Sequence, residues 1–259
     1  MTEWLLAETG YTPPGSRDFE LPPFIHGVSW ATKPVLLALI SIILIVGFFM
    51  YAMRKRALVP GKLQFVAEGA YGFVRNTIAR DSIGEDYRKF LPYLVALFFF
   101  ILVNNLFGLF PLTLFPTMSR VGFPMALAVV SWILFLWIGI SRHGFIGYFK
   151  NMMFPPGVPP YIYPLLAPLE FMSTVLVRPI TLSLRLFANM FAGHLLMLVF
   201  VLGGEYLIHQ SGPVKLVGPI AWIFVIALNF LELLIQVLQA YIFTVLTSLY
   251  IAGSLADEH

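Results

Sequence analysis

Long apolar runs, separated by short polar stretches, dominate this chain. Three of these runs contain no Asp, Glu, Lys or Arg: Leu91 to Ser119, Val121 to Ser141 and Leu186 to Gly204. A helix that crosses a bilayer needs about 20 predominantly apolar residues. The pattern therefore predicts an all-α polytopic membrane protein. We expect about five membrane-crossing helices, at residues 35–53, 90–112, 122–140, 165–202 and 216–252.

Residues 62–80 show a different pattern, in which apolar side chains recur at spacings of three and four. The apolar positions are Leu63, Val66, Ala67, Ala70, Phe73, Val74 and Ile78. The polar positions between them are Lys62, Glu68, Arg75, Asn76 and Arg80. This spacing is typical of an amphipathic helix on the inner membrane surface. The alternative is a helix that packs on other protein.

The last two apolar segments are longer than a bilayer requires. As continuous helices, residues 165–202 and 216–252 would each extend about 55 Å, at about 1.5 Å per residue. The hydrocarbon core is only about 30 Å thick. We therefore expect that these helices break, near Pro179 for example, or tilt strongly. Six prolines between Pro155 and Pro168 also predict a stiff, broken segment before the fifth helix.

Composition narrows the function classes further. The chain is 59% hydrophobic and 11% charged, with a net charge of +3 and no cysteine. The absence of cysteine excludes disulfides, Cys-ligated zinc and thiol catalysis. The basic residues follow the membrane segments and form no patch for nucleic acid. We predict no metal site, no cofactor and no nucleic-acid partner.

The distribution of positive charge predicts the topology. The cluster Arg54, Lys55 and Arg56 follows the first apolar run, so that end of the helix is expected in the cytoplasm. Residues 1–34 then form an extracytoplasmic segment, and residues 35–259 form the membrane domain. The predicted location is the cell membrane (inner or plasma membrane), with several crossings and a cytoplasmic C-terminus.

Polar residues form a seam along each of the last two helices. In the fifth, Thr174, Arg178, Thr181, Arg185 and Asn189 share a face, and Glu170 lies within about a sixth of a turn of it. In the sixth, Glu232, Gln236 and Gln239 share a face. Ionisable groups inside a membrane are costly, so they usually line an ion path or pair with each other.

The two seams differ in their chemistry. An antiparallel register that opposes Arg185 to Gln239 would place His194 near Glu232 and leave Arg185 without a carboxylate from its own chain. Arginine keeps its charge at any working pH, whereas histidine and glutamate can titrate and pass protons. Nine residues separate Arg185 from His194, so the two side chains point about half a turn apart round the helix. An inert buried pair of His194 and Glu232 is the alternative to a proton path.

Two motifs in these helices, RPITLSLRLFANMFAGH and ELLIQVLQAYIFTVLTSLY, resemble subunit a of the rotary ATP synthases, and NNLFGLFP agrees more weakly. The resemblance implies a non-catalytic stator subunit that works beside a rotating ring of subunit c. It also implies subunit b of the peripheral stalk as a partner, together with other ATP synthase subunits and the bilayer. Two offset half-channels would couple proton flow to ATP synthesis.

The resemblance also implies roles for individual residues. Arg185 corresponds to the family's essential arginine, Asn189 to the nearby asparagine, and Gln239 to the glutamine that helps to position the arginine. His194 and Glu232, with Gln236 on the same helical face as Glu232, would belong to the outer half-channel. Glu170 resembles the glutamate of the inner half-channel, although its spacing to Arg185 is one residue longer than in several members. Some members have an aspartate where this chain has Gly108.

Two other function classes fit a polytopic membrane protein. A secondary transporter would show an internal repeat and a solute site at broken helices, and the sequence has no such repeat. A haem- or quinone-associated anchor would need paired histidines at one depth, and only His194 lies well inside an apolar run. Co-purification with a small hairpin subunit that carries a mid-membrane carboxylate would distinguish the ATP synthase hypothesis from both.

Overall fold

The computed structural model describes residues 14–15, 32–54, 59–110, 116–154 and 160–255. These residues form helices, turns and no strand. Five helices are long and apolar enough to span a membrane: Lys33–Ala52, Lys62–Leu106, Gly122–His143, Tyr163–Ile208 and Pro213–Leu255. The prediction of an all-α polytopic membrane protein is therefore confirmed. Most of the segment predicted to be extracytoplasmic, and residues 256–259, lie outside the described residues.

The α-helices of nine or more residues in the described part of the chain are α1 Lys33–Ala52, α2 Lys62–Phe73, α3 Tyr87–Leu106, α4 Gly122–His143, α5 Phe145–Met153, α6 Tyr163–Met172, α7 Arg178–Ile208 and α8 Val217–Leu255. Two π-helical turns join neighbouring helices into longer rods. The turn Val74–Arg80 continues α2 towards α3, and the turn Ser173–Val177 connects α6 with α7. The chain thus passes through both positions without a loop.

The amphipathic segment packs on its own chain along one edge. Ala67, Val74 and Ile78 from the predicted apolar stripe are completely buried, and the π turn that holds the last two contacts α3 and α8. Ser248 on α8 donates a hydrogen bond of 3.4 Å to the Ile78 carbonyl. Other members of the stripe, such as Val66, stay exposed. The segment therefore covers protein on one side and leaves apolar side chains exposed on the other.

The antiparallel pair α7 and α8 forms the centre of the fold, with α3 and α4 packed against it and α1 packed on α3. Phe135, Leu186 and Phe243 are buried at the meeting point of these helices. The outer surface is also apolar, since Trp137 and Phe230 are each 71% exposed. Such a surface is expected where lipid, rather than water, surrounds the protein.

The proline-rich run is more regular than the sequence predicts. Helix α6 begins at Tyr163 and includes Pro164 and Pro168, so the prediction of a broken segment up to Pro168 is wrong for its last residues. Pro164 lies in the first turn, where a backbone N–H has no helical partner in any case. The departure from α-helical geometry comes later, in the turn that ends just before Arg178 and Pro179.

Two glycines close the α7–α8 hairpin at its connecting end. A Cβ atom on Gly218 would overlap the Ile208 side chain and lie 2.7 Å from the Gly204 carbonyl oxygen. A Cβ atom on Gly204 would lie 2.8 Å from the Trp222 ring. The Trp222 indole N–H donates to the Val201 carbonyl across this contact, at 3.3 Å. The close approach of the two backbones therefore depends on the missing side chains.

We expect Gly218→Ala to destabilise the subunit by about 1–3 kcal/mol, because the added methyl group overpacks the hairpin. Gly253→Ala is the matched control on the same helix, since its Cβ atom would meet nothing within 4 Å. Thermal unfolding of the detergent-solubilised subunit measures the difference. Equal unfolding temperatures for the two variants would contradict the close packing of the hairpin.

Candidate functional site

Helix α7 places its polar residues on opposite sides. Arg185 and Asn189 are exposed, whereas His194 is buried, as are Leu186 and Met190 beside it. This separation follows from the helical period, because nine residues correspond to about two and a half turns. The fixed charge and the titratable imidazole therefore face different surroundings, as the sequence predicts.

A hydrogen bond between amides joins α7 to α8. The Asn189 Nδ2 group donates to Gln239 Oε1 at 2.8 Å, and Gln239 is only 2% exposed. The sequence places Gln239 opposite Arg185, but the observed partner lies one helical turn further along α7. Beyond it, a Cβ atom on Gly193 would lie 3.5 Å from the Glu232 carboxyl carbon. Glu232 thus faces α7 at the level of Gly193 and His194.

Glu232 begins a row of buried polar side chains on α8. Glu232 is 5% exposed and Gln236 is completely buried. The Gln236 Nε2 group donates to Glu232 Oε1 at 3.3 Å. From α3, Asn105 Nδ2 donates to the Gln236 backbone carbonyl, also at 3.3 Å. Helices α3 and α8 therefore both contribute polar groups to one region inside an apolar bundle.

Several polar atoms in this region are buried and have no hydrogen-bond partner within the described part of the chain. They are Asn104 Oδ1, Asn105 Oδ1, Glu232 Oε2, Gln236 Oε1 and Gln239 Nε2. A buried polar group without a partner costs about 1–3 kcal/mol, and water is the usual partner where protein offers none. The arrangement can therefore bind water molecules beside Glu232.

The sequence did not identify the contribution of α1 and α3 to this region. Asn104 Nδ2 donates to Ser41 Oγ on α1 and to the Phe100 carbonyl, both at 2.8 Å. Gly108 has little room for any side chain, since its Cβ atom would lie 3.0 Å from Pro116. The adjacent Asn104 and Asn105, in an otherwise apolar run, were the feature of the sequence that could have indicated this contribution.

The predicted polar face of the fifth helix is not uniform. Thr174 is buried, Arg178 is half-buried, and Thr181, Arg185 and Asn189 are exposed. The Arg178 guanidinium lies over the Tyr250 ring of α8, 5.0 Å from its centre. Glu170 is half-buried on α6, on the far side of the π turn from Arg185.

Arg185 has no ion pair within the described residues. The ion pairs found there lie at Asp86, whose carboxylate is 2.9 Å from Lys89 and 3.5 Å from Arg142. A search of the same residues finds no cluster of His, Asp and Glu that could hold a metal ion. The candidate site thus combines an exposed cation, a bridged amide pair and a buried carboxyl group in a polar row.

Comparison with known proteins gives a consistent result. The sequence profile of the family described as "ATP synthase A chain" matches residues 35–252. A protein of Nocardioides sp. named ATP synthase subunit a is 53% identical over 96% of this chain and 95% of its own length. Proteins of the same name from Pseudarthrobacter chlorophenolicus and Streptomyces lividans are 48% and 40% identical, each over 96% of this chain and 95% or 90% of their own lengths.

A double-mutant cycle tests the bridge between α7 and α8. Asn189→Ala and Gln239→Ala should each destabilise the subunit, with a coupling free energy of about 0.5–1.5 kcal/mol, because they remove the same hydrogen bond. Asn189→Ala with Gln236→Ala is the control pair and should be additive within about 0.5 kcal/mol. Unfolding by detergent titration gives the four free energies. Additivity in the Asn189–Gln239 pair would contradict the bridge.

Proposed function

Since the chain belongs to the ATP synthase subunit a family, we propose that it forms two offset proton half-channels beside a rotating ring of subunit c. Family membership itself makes it a multi-pass membrane subunit of a proton-translocating ATP synthase, associated with other subunits of that complex. It also speaks against the secondary transporter and the haem or quinone anchor. The observation that carries the finer proposal is that Arg185 is exposed on an apolar helix, whereas His194 on the same helix points about half a turn away and is buried.

The outer half-channel begins in the polar region around Glu232. A proton that enters from outside passes His194 and Glu232, since imidazole and carboxyl side chains can accept and release protons. Water bound beside Gln236 connects these side chains to each other and to the outside. The support for this path is the set of buried polar atoms that have no hydrogen-bond partner among the described residues, on one side of α8 and on α3. A row of such atoms lowers the cost of water inside the bundle.

The ring carboxylate receives this proton and becomes neutral. A neutral side chain can then face lipid as the ring turns, whereas a charged one would cost about 2.5–3.5 kcal/mol at the membrane centre on insertion scales. After nearly a full turn, the carboxyl group reaches the polar interface again and releases its proton to the inner half-channel. Glu170, on the other side of the π turn, accepts it there.

Arg185 separates the two half-channels. Its guanidinium stays charged, so it cannot relay a proton, and it attracts the carboxylate that forms when the ring site loses its proton. Its exposed position agrees with a partner on another subunit. The amide bridge from Asn189 to Gln239 holds α8 beside the helical turn that follows Arg185.

ATP chemistry takes place on other subunits in this proposal, and this chain is not itself an enzyme. The sequence contains no G-x-x-x-x-G-K-[ST] phosphate loop. The partners are the subunit c ring, subunit b of the peripheral stalk and the lipid bilayer. The N-terminus is outside and the C-terminus is in the cytoplasm.

Arg185→Ala tests the barrier. In inverted membrane vesicles, we expect ATP-driven proton pumping to be lost and a passive proton leak to appear when the ring is held, because no charge then separates the half-channels. Arg185→Lys should restore pumping only in part, since an ammonium ion lacks the planar guanidinium geometry. Arg142→Ala, which removes a cation from the surface ion pair with Asp86, is the control. A tight membrane and normal pumping with Arg185→Ala would refute the role.

Glu232→Gln tests the outer half-channel. The amide keeps the shape of the side chain but cannot carry a proton, so we expect the rate of ATP synthesis to fall at least about tenfold, the effect of 1.4 kcal/mol on a barrier. Glu205→Gln is the control, because Glu205 is exposed on α7. A synthesis rate like that of the control would exclude Glu232 from the path.

A further inference from the structure

The turn Ser173–Val177 contains one residue more than an α-helical turn. The Arg178 backbone N–H donates to the Ser173 carbonyl, five residues back, instead of to the Thr174 carbonyl four residues back. Such π-helical turns are rare and occur frequently at functional sites. The turn lies between Glu170 and Arg185, the two residues assigned to the inner half-channel and to the barrier.

Because of Pro179, the Thr174 carbonyl in this turn has no backbone N–H donor within the helix. In the i to i+5 pattern, the donor for the Thr174 carbonyl would be residue 179, and proline has no backbone N–H. The carbonyl instead accepts a hydrogen bond of 3.2 Å from the indole N–H of Trp132 on α4. Trp132 therefore supplies the donor that the helix itself lacks at this position.

The additional residue changes the rotation of α6 relative to α7. In a continuous α-helix, Glu170 would lie about 80° from Arg178 and about 60° from Arg185, at about 100° per residue. A turn that absorbs one residue removes about 100°, which leaves Glu170 about 20° from Arg178 and about 40° from Arg185 on the other side. Thr174 Oγ1 also lies here, buried and without a hydrogen-bond partner in the described residues.

We propose that Trp132 is a positioning residue of the inner half-channel: through the Thr174 carbonyl it holds the π turn that sets the direction of Glu170 relative to Arg185. This inference rests on the proposed function, because it assigns Trp132 to the path between those two residues. Without the indole N–H, the helix loses the contact that favours the π turn, and Glu170 can rotate away from the face of Arg178.

The first test compares two tryptophans on α4 in the complete ATP synthase. Trp132→Phe keeps an aromatic ring but removes the N–H, and we expect it to lower ATP-driven proton pumping per ATP hydrolysed about tenfold, in line with the loss of one partly buried hydrogen bond. Trp137→Phe is the matched control, since Trp137 is exposed on the same helix. Equal pumping by the two variants would overturn the proposal.

A deletion provides a readout that a purely structural role of Trp132 would not give. Removing Leu176, which is exposed in the π turn, leaves a regular α-helix with Glu170 in its native direction. We expect this deletion alone to keep pumping within about twofold of the wild type, and to restore most of the pumping lost in Trp132→Phe, because no π turn is then needed. Failure to restore pumping in an assembled complex would overturn the proposal.

Two controls keep the outcome clear. Immunoblots of the membranes give the amount of assembled subunit; if Trp132→Phe does not assemble, pumping by the Leu176 deletion alone decides, and its loss would overturn the proposal. Arg185→Ala in the same vesicles tests the proposed function itself. Normal pumping by Arg185→Ala refutes that function, whereas loss there with equal pumping by the two tryptophan variants refutes only the role of Trp132.

Discussion

An arginine that cannot lose its charge, set on an apolar helix, is the constraint on which the rest of the arrangement depends. A charge at this depth costs at least about 2.5–3.5 kcal/mol on insertion scales. Among the described residues, no carboxylate of the chain forms an ion pair with Arg185 to offset that cost. The family and the exposed position of the side chain together favour a partner on another subunit. The cost of the Arg185 charge is then offset only when that partner is bound.

The α7–α8 hairpin separates this fixed charge from the groups that can titrate. Arg185 is exposed, whereas His194 and Glu232 are buried. If both functions shared one face, the arginine would stabilise the Glu232 carboxylate and hinder its protonation. In the proposed mechanism, the rotation of about half a turn between Arg185 and His194 keeps the barrier distinct from the proton path.

Helical periodicity predicted the separation of Arg185 from His194, the seam on α8 and the five spans, because each depends on spacing along one helix. Contacts between distant segments could not be found in this way. To predict the hydrogen bond from Asn189 to Gln239, one would need to know how far α7 is shifted along its axis relative to α8. Side-chain packing determines that shift. The π turn at Ser173–Val177 was also missed, since a regular 3.6-residue period does not reveal it, and the hydrogen bond to its Thr174 carbonyl comes from Trp132, 42 residues away.

A structure of the assembled complex tests the central claim most directly, through the distance from the Arg185 guanidinium to the nearest carboxylate of the rotating ring. The account predicts that one ring carboxylate lies within about 4 Å of it, the usual limit of an ion pair, or is bridged to it by water. An Arg185 that faces lipid, or that pairs with Glu170 or Glu232 of its own chain, would contradict it.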